Sequence, residues 1–186
     1  MVLLTTPICD FDMQMPSFEL QNVDDSFVKS SDIKGLNGTL IMFICNHCPY
    51  VKAVIEKIVE TTNKLDEFGI SSVAIMPNDT VNYPEDSFDN MKIFAQKHQF
   101  KFPYLIDSTQ KISKEFGAVC TPDFFGFNSN NKLNYRGRIG EMENLKFVGK
   151  RNELLEAMIE ISKNNVGPSN QYVSAGCSIK WRSNSA

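Results

Sequence analysis

An α/β fold, with a central mixed sheet flanked by helices on both faces, is the architecture this sequence predicts, and three observations predict it. First, the apolar run Leu40-Ile41-Met42-Phe43-Ile44 leads straight into Cys45-Asn46-His47-Cys48. Apolar residues then recur at helical spacing as Val51, Val54, Ile55, Ile58, Val59, Leu65 and Phe68, with Gly69 as the stop. Second, the β-rich run 70–76 follows at once, as expected of two parallel strands joined by a right-handed helical crossover. Third, Asp123 to Phe127 and Lys132 to Tyr135 flank the Asn-rich stretch 128–131, which is a hairpin signal.

The remaining elements follow in order. Phe18-Glu19-Leu20 and Ser26-Phe27-Val28-Lys29 are short β pieces around the turn 22–25, so an N-terminal β-hairpin extends the fold. Residues 30–35 read as a turn or short helix, the strand 40–44 and the helix 49–68 come next, and 77–86 is a turn-rich loop. From Ser87 to Gln99, Phe88, Met91, Phe94, Ala95 and His98 share helical spacing, which makes His98 a core histidine. Tyr104 to Ile106 is a short strand, and residues 107–110 offer a capping box for a small helix ending at Gly117. A last helix spans 151–163 with Leu154, Leu155, Met158 and Ile159 on one face. Residues 1–163 thus form one domain, and 164–186 a tail packing on or near it. That tail is rich in Asn, Ser and Gly, yet carries Cys177, Ile179 and the single Trp181.

Composition limits the function. A chain of 186 residues buries roughly 70% of its unfolded surface without staples. A net charge of −3 argues against a nucleic-acid or anionic-membrane partner, both of which call for a basic face. No apolar run is long enough to span a bilayer, and the start, Met1 to Pro7, lacks the pattern of an export signal. The expected location is therefore cytoplasmic, and the five cysteines read as free or catalytic thiols.

The two sulfurs of the C-x-x-C sit where a buried strand ends and a helix begins. Unpaired N–H groups and the helix dipole favour negative charge there, so a thiol ionises more easily and becomes a nucleophile. A second thiol three residues on can resolve a mixed disulfide. The loop 77–86, with Asp79 and Tyr83, and the segment Thr121-Pro122 should reach the same sheet edge. His47 either stabilises a thiolate when protonated or is an uninvolved surface residue. A zinc half-site needs two more ligands from His47, His98, Cys9, Cys120 and Cys177, none of which forms a second C-x-x-C, so no metal or other cofactor is expected. Cys120 is either close to the redox pair or a small buried filler, and Cys177 is either a further redox thiol or a bystander. Arg136 and Arg138 read as solvated.

The stretches Phe43 to Ala53, Ala74 to Met91, Ala118 to Asp123 and Gly176 to Trp181 resemble the thioredoxin-fold superfamily. The closer resemblance is to its peroxiredoxin-like branch, of the alkyl hydroperoxide reductase/thiol-specific antioxidant type. This resemblance implies a thioredoxin-like fold and a thiol–disulfide oxidoreductase, in which Cys45 attacks and Cys48 resolves. It implies a protein or small-molecule disulfide as substrate and an external thiol as reductant. It further implies a cis Thr121–Pro122 bond facing the pair, with Asn46, His47 and Pro49 shaping the site and the Thr121 backbone left free for an extended substrate. Peroxiredoxins carry Pro-x-x-x-Thr/Ser-x-x-Cys and a distant Arg. Here Ile41 and Cys45 replace the Pro and the Thr/Ser, and the Arg position falls near Asp123 or Phe124. Peroxidase activity with Cys48 as the attacked sulfur is therefore a weak alternative. A metal-handling module using Cys45, Cys48 and a histidine is the other, although thioredoxin-fold copper chaperones use C-x-x-x-C spacing. Disulfide exchange requires Cα atoms about 4.4–6.8 Å apart and at least one accessible sulfur.

Overall fold

The computed structural model describes residues 2–11 and 13–183; Met1 and the last three residues of the predicted tail lie outside them. Strands β1 (Leu3–Thr5), β2 (Glu19–Asn22), β3 (Phe27–Lys29) and β4 (Gly38–Phe43) precede helix α1 (Pro49–Asp66). Then come β5 (Ile70–Met76), α2 (Phe88–Lys97), β6 (Tyr104–Ile106), α3 (Lys111–Glu115), β7 (Cys120–Thr121), β8 (Asp123–Asn128) and β9 (Leu133–Gly137). The hairpin β10 (Met142–Glu143) and β11 (Lys146–Phe147), helix α4 (Glu153–Asn164) and strand β12 (Ala175–Ser178) complete the chain.

Seven strands form the main sheet in the order β3-β2-β6-β5-β4-β8-β9. β4, β5 and β6 run parallel, as the crossover pattern predicts, while β8 pairs antiparallel with β4 over all six residues. The predicted N-terminal hairpin is present, with β2 and β3 antiparallel and β2 attached to β6. β4 is buried along its whole length, so its side chains alternate between two apolar layers. Leu40, Met42 and Ile44 face the layer built from α1, α2 and α4; Ile41 and Phe43 face the layer that holds Phe116, beside α3, and the N-terminal segment. The fold is the thioredoxin-like one.

Boundaries moved where capping decided them. α1 stops at Asp66, and the chain turns at Gly69 with φ +70°, a conformation open to glycine. α4 begins at Glu153 because the Asn152 side chain accepts a hydrogen bond from the Leu155 N–H. His98 is not a core residue: it ends α2 half-buried, its ring against Phe94 and Phe100. Among the described residues no helix is long and apolar enough to cross a membrane.

The second, three-stranded sheet has no counterpart in the predicted element order. Its order is β1-β12-β7, antiparallel throughout, with Cys177 opposite both Leu3 and Thr121. The tail is thereby docked, and its continuation is tied down as well. Asn78 Oδ1 accepts from the Lys180 N–H, and Lys180 carbonyl accepts from Gln110 Nε2 and from the Asp79 N–H.

Candidate active site

β4 delivers Cys45, and Cys48 is the N-cap of α1, with extended φ −63° and ψ 122°. Pro49 occupies the start of the helix, where its missing N–H costs nothing. The Thr121–Pro122 bond is cis and Thr121 faces both thiols. Thr121 Oγ1 lies 3.4 Å from Cys45 Sγ, and the Thr121 carbonyl oxygen lies 3.1 Å from Cys48 Sγ. Three distant stretches therefore meet at one sheet edge, as the strand directions predict.

Two expectations fail here. Both Cys45 and Cys48 are fully buried, where exchange requires an accessible sulfur, and the Thr121 backbone is taken by a strand. β12, from the chain's own tail, pairs with Thr121 and packs against Cys48. Gly176 permits this, because a Cβ there would stand 2.1 Å from the Thr121 carbonyl oxygen. The strand places Cys177 Sγ 2.8 Å from Cys48 Sγ. Gly176→Ala should push β12 off β7 at a cost of about 1–3 kcal/mol. The expected result is a lower melting temperature and faster labelling of the reduced cysteines by a small maleimide; unchanged labelling would mean that β12 is not what shields them.

The surroundings move the two thiols of the pair in opposite directions. Burial pushes the Cys45 thiol well up, with its hydrogen bond to Cys48 and the Asp86 charge adding to the effect. Cys48 is pulled down, to about 5, by the hydrogen bond from Cys45, against its burial, with help from Cys177 and Thr121 and a smaller share from the Val51 N–H. Burial, then the bond to Cys48, pushes Cys177 up to about 12. As a thiol Cys48 donates to the Thr121 carbonyl; once ionised it gives up that contact and accepts from the two neighbouring thiols. The contacts around Cys48 thus favour its ionisation over that of Cys45 or Cys177.

Asp86 organises the two residues between the cysteines. It closes the single helical turn Pro84–Asp86 and is wholly buried. Its Oδ1 accepts from the Asn46 and His47 backbone N–H groups at 2.8 and 3.2 Å. Its Oδ2 accepts from His47 Nδ1 at 2.6 Å and Asn78 Nδ2 at 2.7 Å. The hydrogen bond to Asp86 raises the His47 pKa against partial burial, which favours imidazolium close to the Cys48 thiolate. Tyr83 stacks on His47 with ring centroids 5.9 Å apart, and Asn46 Oδ1 accepts from the buried Tyr104 hydroxyl. Asn46, His47 and Tyr83 therefore lie beside the two cysteines.

Asp86 and Tyr104 were not singled out from sequence, because both lie in stretches that read as turn and strand. Cys45, His47 and Asp86 offer three ligand atoms within 4.8 Å of one another, a donor set that would suit a metal ion if Asp86 exchanged its present donors for it. Cys120 is fully buried on β7, opposite Ser178 of β12, and burial pushes its thiol up. Arg136 is not solvated. It is buried, bonds Asp123 at 2.9 Å and lies over the Phe125 ring, while Arg138 pairs with Glu153.

A thioredoxin-like sheet with paired thiols at its central strand–helix junction defines the class, that of thioredoxin-fold redox proteins. The chain belongs to the AhpC/TSA family, which it matches over residues 12–136. It is similar to a conserved protein from Geobacillus kaustophilus, described as uncharacterized, at 39% identity. That alignment covers 100% of this chain and 99% of the other, with a TM-score of 0.94. A hypothetical protein from Sinorhizobium meliloti is 27% identical over 97% of this chain and 98% of that one, with a TM-score of 0.89. A secreted Mycobacterium tuberculosis disulfide oxidoreductase, homologous to E. coli DsbE, is 14% identical over 68% of this chain and 87% of its own, with a TM-score of 0.56. At that identity the likeness is one of fold. Comparison with curated proteins finds no match.

Proposed function

We propose that this chain is a thiol–disulfide oxidoreductase that exchanges disulfides through Cys48 and Cys45. The observation that carries the reading is the geometry of the pair: Cys48 caps the N terminus of α1, and Thr121, before a cis proline, contacts both sulfurs, in surroundings that lower the Cys48 pKa. In the first step the Cys48 thiolate attacks one sulfur of a disulfide R–S–S–R′. The Cys48–S–S–R bond forms and R′–S⁻ leaves. Cys45 then attacks Cys48 Sγ, its proton passes to the departing R–S⁻, and a Cys45–Cys48 disulfide remains. An external thiol reduces that disulfide and resets the pair. Substrates are proteins or small molecules with an accessible disulfide, and β12 must leave β7 before they reach Cys48.

Turnover of glutathione disulfide or insulin, with dithiothreitol as reductant, tests this. Cys48→Ser should abolish turnover, while an unchanged rate in that variant would end the proposal. The pH profile is a separate prediction. Because Cys48 is ionised above about pH 5, the rate of its attack on glutathione disulfide should be nearly flat between about pH 6 and 8. A rate that climbs about tenfold per pH unit across that window would assign the attack to Cys45.

Peroxide reduction by the same Cys48 thiolate is the second reading. It lacks the donors needed to stabilise the leaving oxygen, since Cys45 stands in the Thr/Ser position and the Arg136 guanidinium is held by Asp123 and the Gly117 carbonyl. Oxidation by hydrogen peroxide should accordingly be slow beside exchange with glutathione disulfide.

A further inference from the structure

The tail cysteine lies against Cys48. Cys177 is 129 residues from Cys48 in sequence, yet their sulfurs are 2.8 Å apart, with Cys177 almost wholly buried. It is carried there by a strand in register with Thr121, the residue that also contacts Cys45. Both the Cys177 and the Cys48 sulfurs lie at the first turn of α1, where the Tyr50 and Val51 N–H groups stabilise negative charge on them. Small residues make this approach possible: Gly176 lies against the Thr121 carbonyl, and Ser174 Oγ donates to the Pro122 carbonyl.

We propose that Cys177 is a second resolving thiol, which β12 brings back onto Cys48 after a substrate disulfide has been attacked. The inference rests on the exchange reading above and adds a residue to it. β12 leaves β7, the Cys48 thiolate attacks R–S–S–R′, and R′–S⁻ departs. When β12 re-pairs, Cys177 attacks Cys48 Sγ, the Cys48–S–S–R bond breaks, and R–S⁻ leaves with the Cys177 proton. Two electrons have passed from Cys48 and Cys177 to the substrate, now two thiols. The product disulfide fastens β12 across the site, whereas a Cys45–Cys48 disulfide leaves the strand free.

Such movement lifts Cys177 out of the core cluster but leaves the ladders of the seven-stranded sheet intact. β12 belongs to a sheet separate from the seven-stranded one, and its other neighbour, β1, is exposed along its length. The two strands can swing away as a ribbon without breaking a ladder of the main sheet.

The test uses the reduced full chain, glutathione disulfide as probe and mass spectrometry of peptides prepared without reduction. In Cys45→Ser, the glutathione adduct on Cys48 should disappear as a peptide linking Cys48 to Cys177 appears. In Cys45→Ser with Cys177→Ser, the adduct should persist about tenfold longer or more. Equal adduct lifetimes in the two variants would overturn the role of Cys177 and leave the exchange reading standing. Failure of glutathione to add to Cys48 in any variant would overturn both. Cys177→Ala provides a second route to the same comparison, and the wild-type chain should itself yield some Cys48–Cys177 peptide on oxidation.

Discussion

Asp86→Ala should cost about 3–5 kcal/mol of stability and should loosen the turn that holds the cysteines, although residue 86 touches neither sulfur. The carboxylate accepts four hydrogen bonds, from the backbone of Asn46 and His47, the His47 ring and the Asn78 amide. Alanine leaves buried donors without partners and removes the counter-charge of the His47 imidazolium. Asp86→Asn keeps an acceptor for the backbone and should cost less, so the difference between the two variants measures the charge.

The pH dependence of this pair has a defined sign. His47 is raised by its bond to Asp86, so its contribution to stability is complete below about pH 6.5 and is lost as pH rises through the folded value. Burial of Asp86 pushes its carboxyl up, but the bonds from His47 and Asn78 prevail and lower it overall. Its contribution is present above about pH 4 and lost as pH falls through the folded value. Chemical denaturation of the wild type and Asp86→Asn should therefore differ most between about pH 4 and 6.5. A difference independent of pH would deny the ion pair its role, and a His47 titration by NMR that does not move in Asp86→Asn would do the same.

The parts of this site that were legible in the sequence are those encoded locally. An apolar run feeding a C-x-x-C and an amphipathic helix is readable because strand and helix have different periods, and the C-x-x-C lies at the change of period. What escaped depends on pairing across long stretches of chain. β12 is four residues of Ala, Gly, Cys and Ser, with no alternation to reveal a strand, and its partners are 56–58 and 170–174 residues away. Cys177 in a polar tail and Gly176 beside it were the available signal, since a glycine next to a cysteine marks a close approach only once the facing strand is known. The lowering of the Cys48 thiol pKa is hidden in the sequence for a related reason. Thiolate character here is set by donors from Cys45 and Cys177, not by position along the helix alone. Arg136 likewise gives no sign of burial in sequence, because its partner Asp123 sits on the neighbouring strand, 13 residues away.

That buried pair makes the second large prediction. Asp123 is fully buried, its Oδ2 accepts from Arg136 at 2.9 Å and from the Val119 N–H at 3.3 Å, and Arg136 also donates to the Gly117 carbonyl. These bonds tie together residues 117–123, the loop that presents Thr121 to both thiols. Asp123→Ala would strand a guanidinium between Phe125 and a carbonyl, away from water, at a cost of about 3–5 kcal/mol. Asp123→Ala combined with Arg136→Met removes the orphaned charge and restores an apolar fill, so the double variant should be more stable than Asp123→Ala alone. Urea unfolding of the four members of this cycle measures the coupling. A double variant no better than the sum of its parts would show that the pair is not energetically linked. If the loop is held this way, Asp123→Ala should also weaken the Thr121 contacts and speed maleimide labelling of Cys45, which Arg136→Met paired with it should partly reverse.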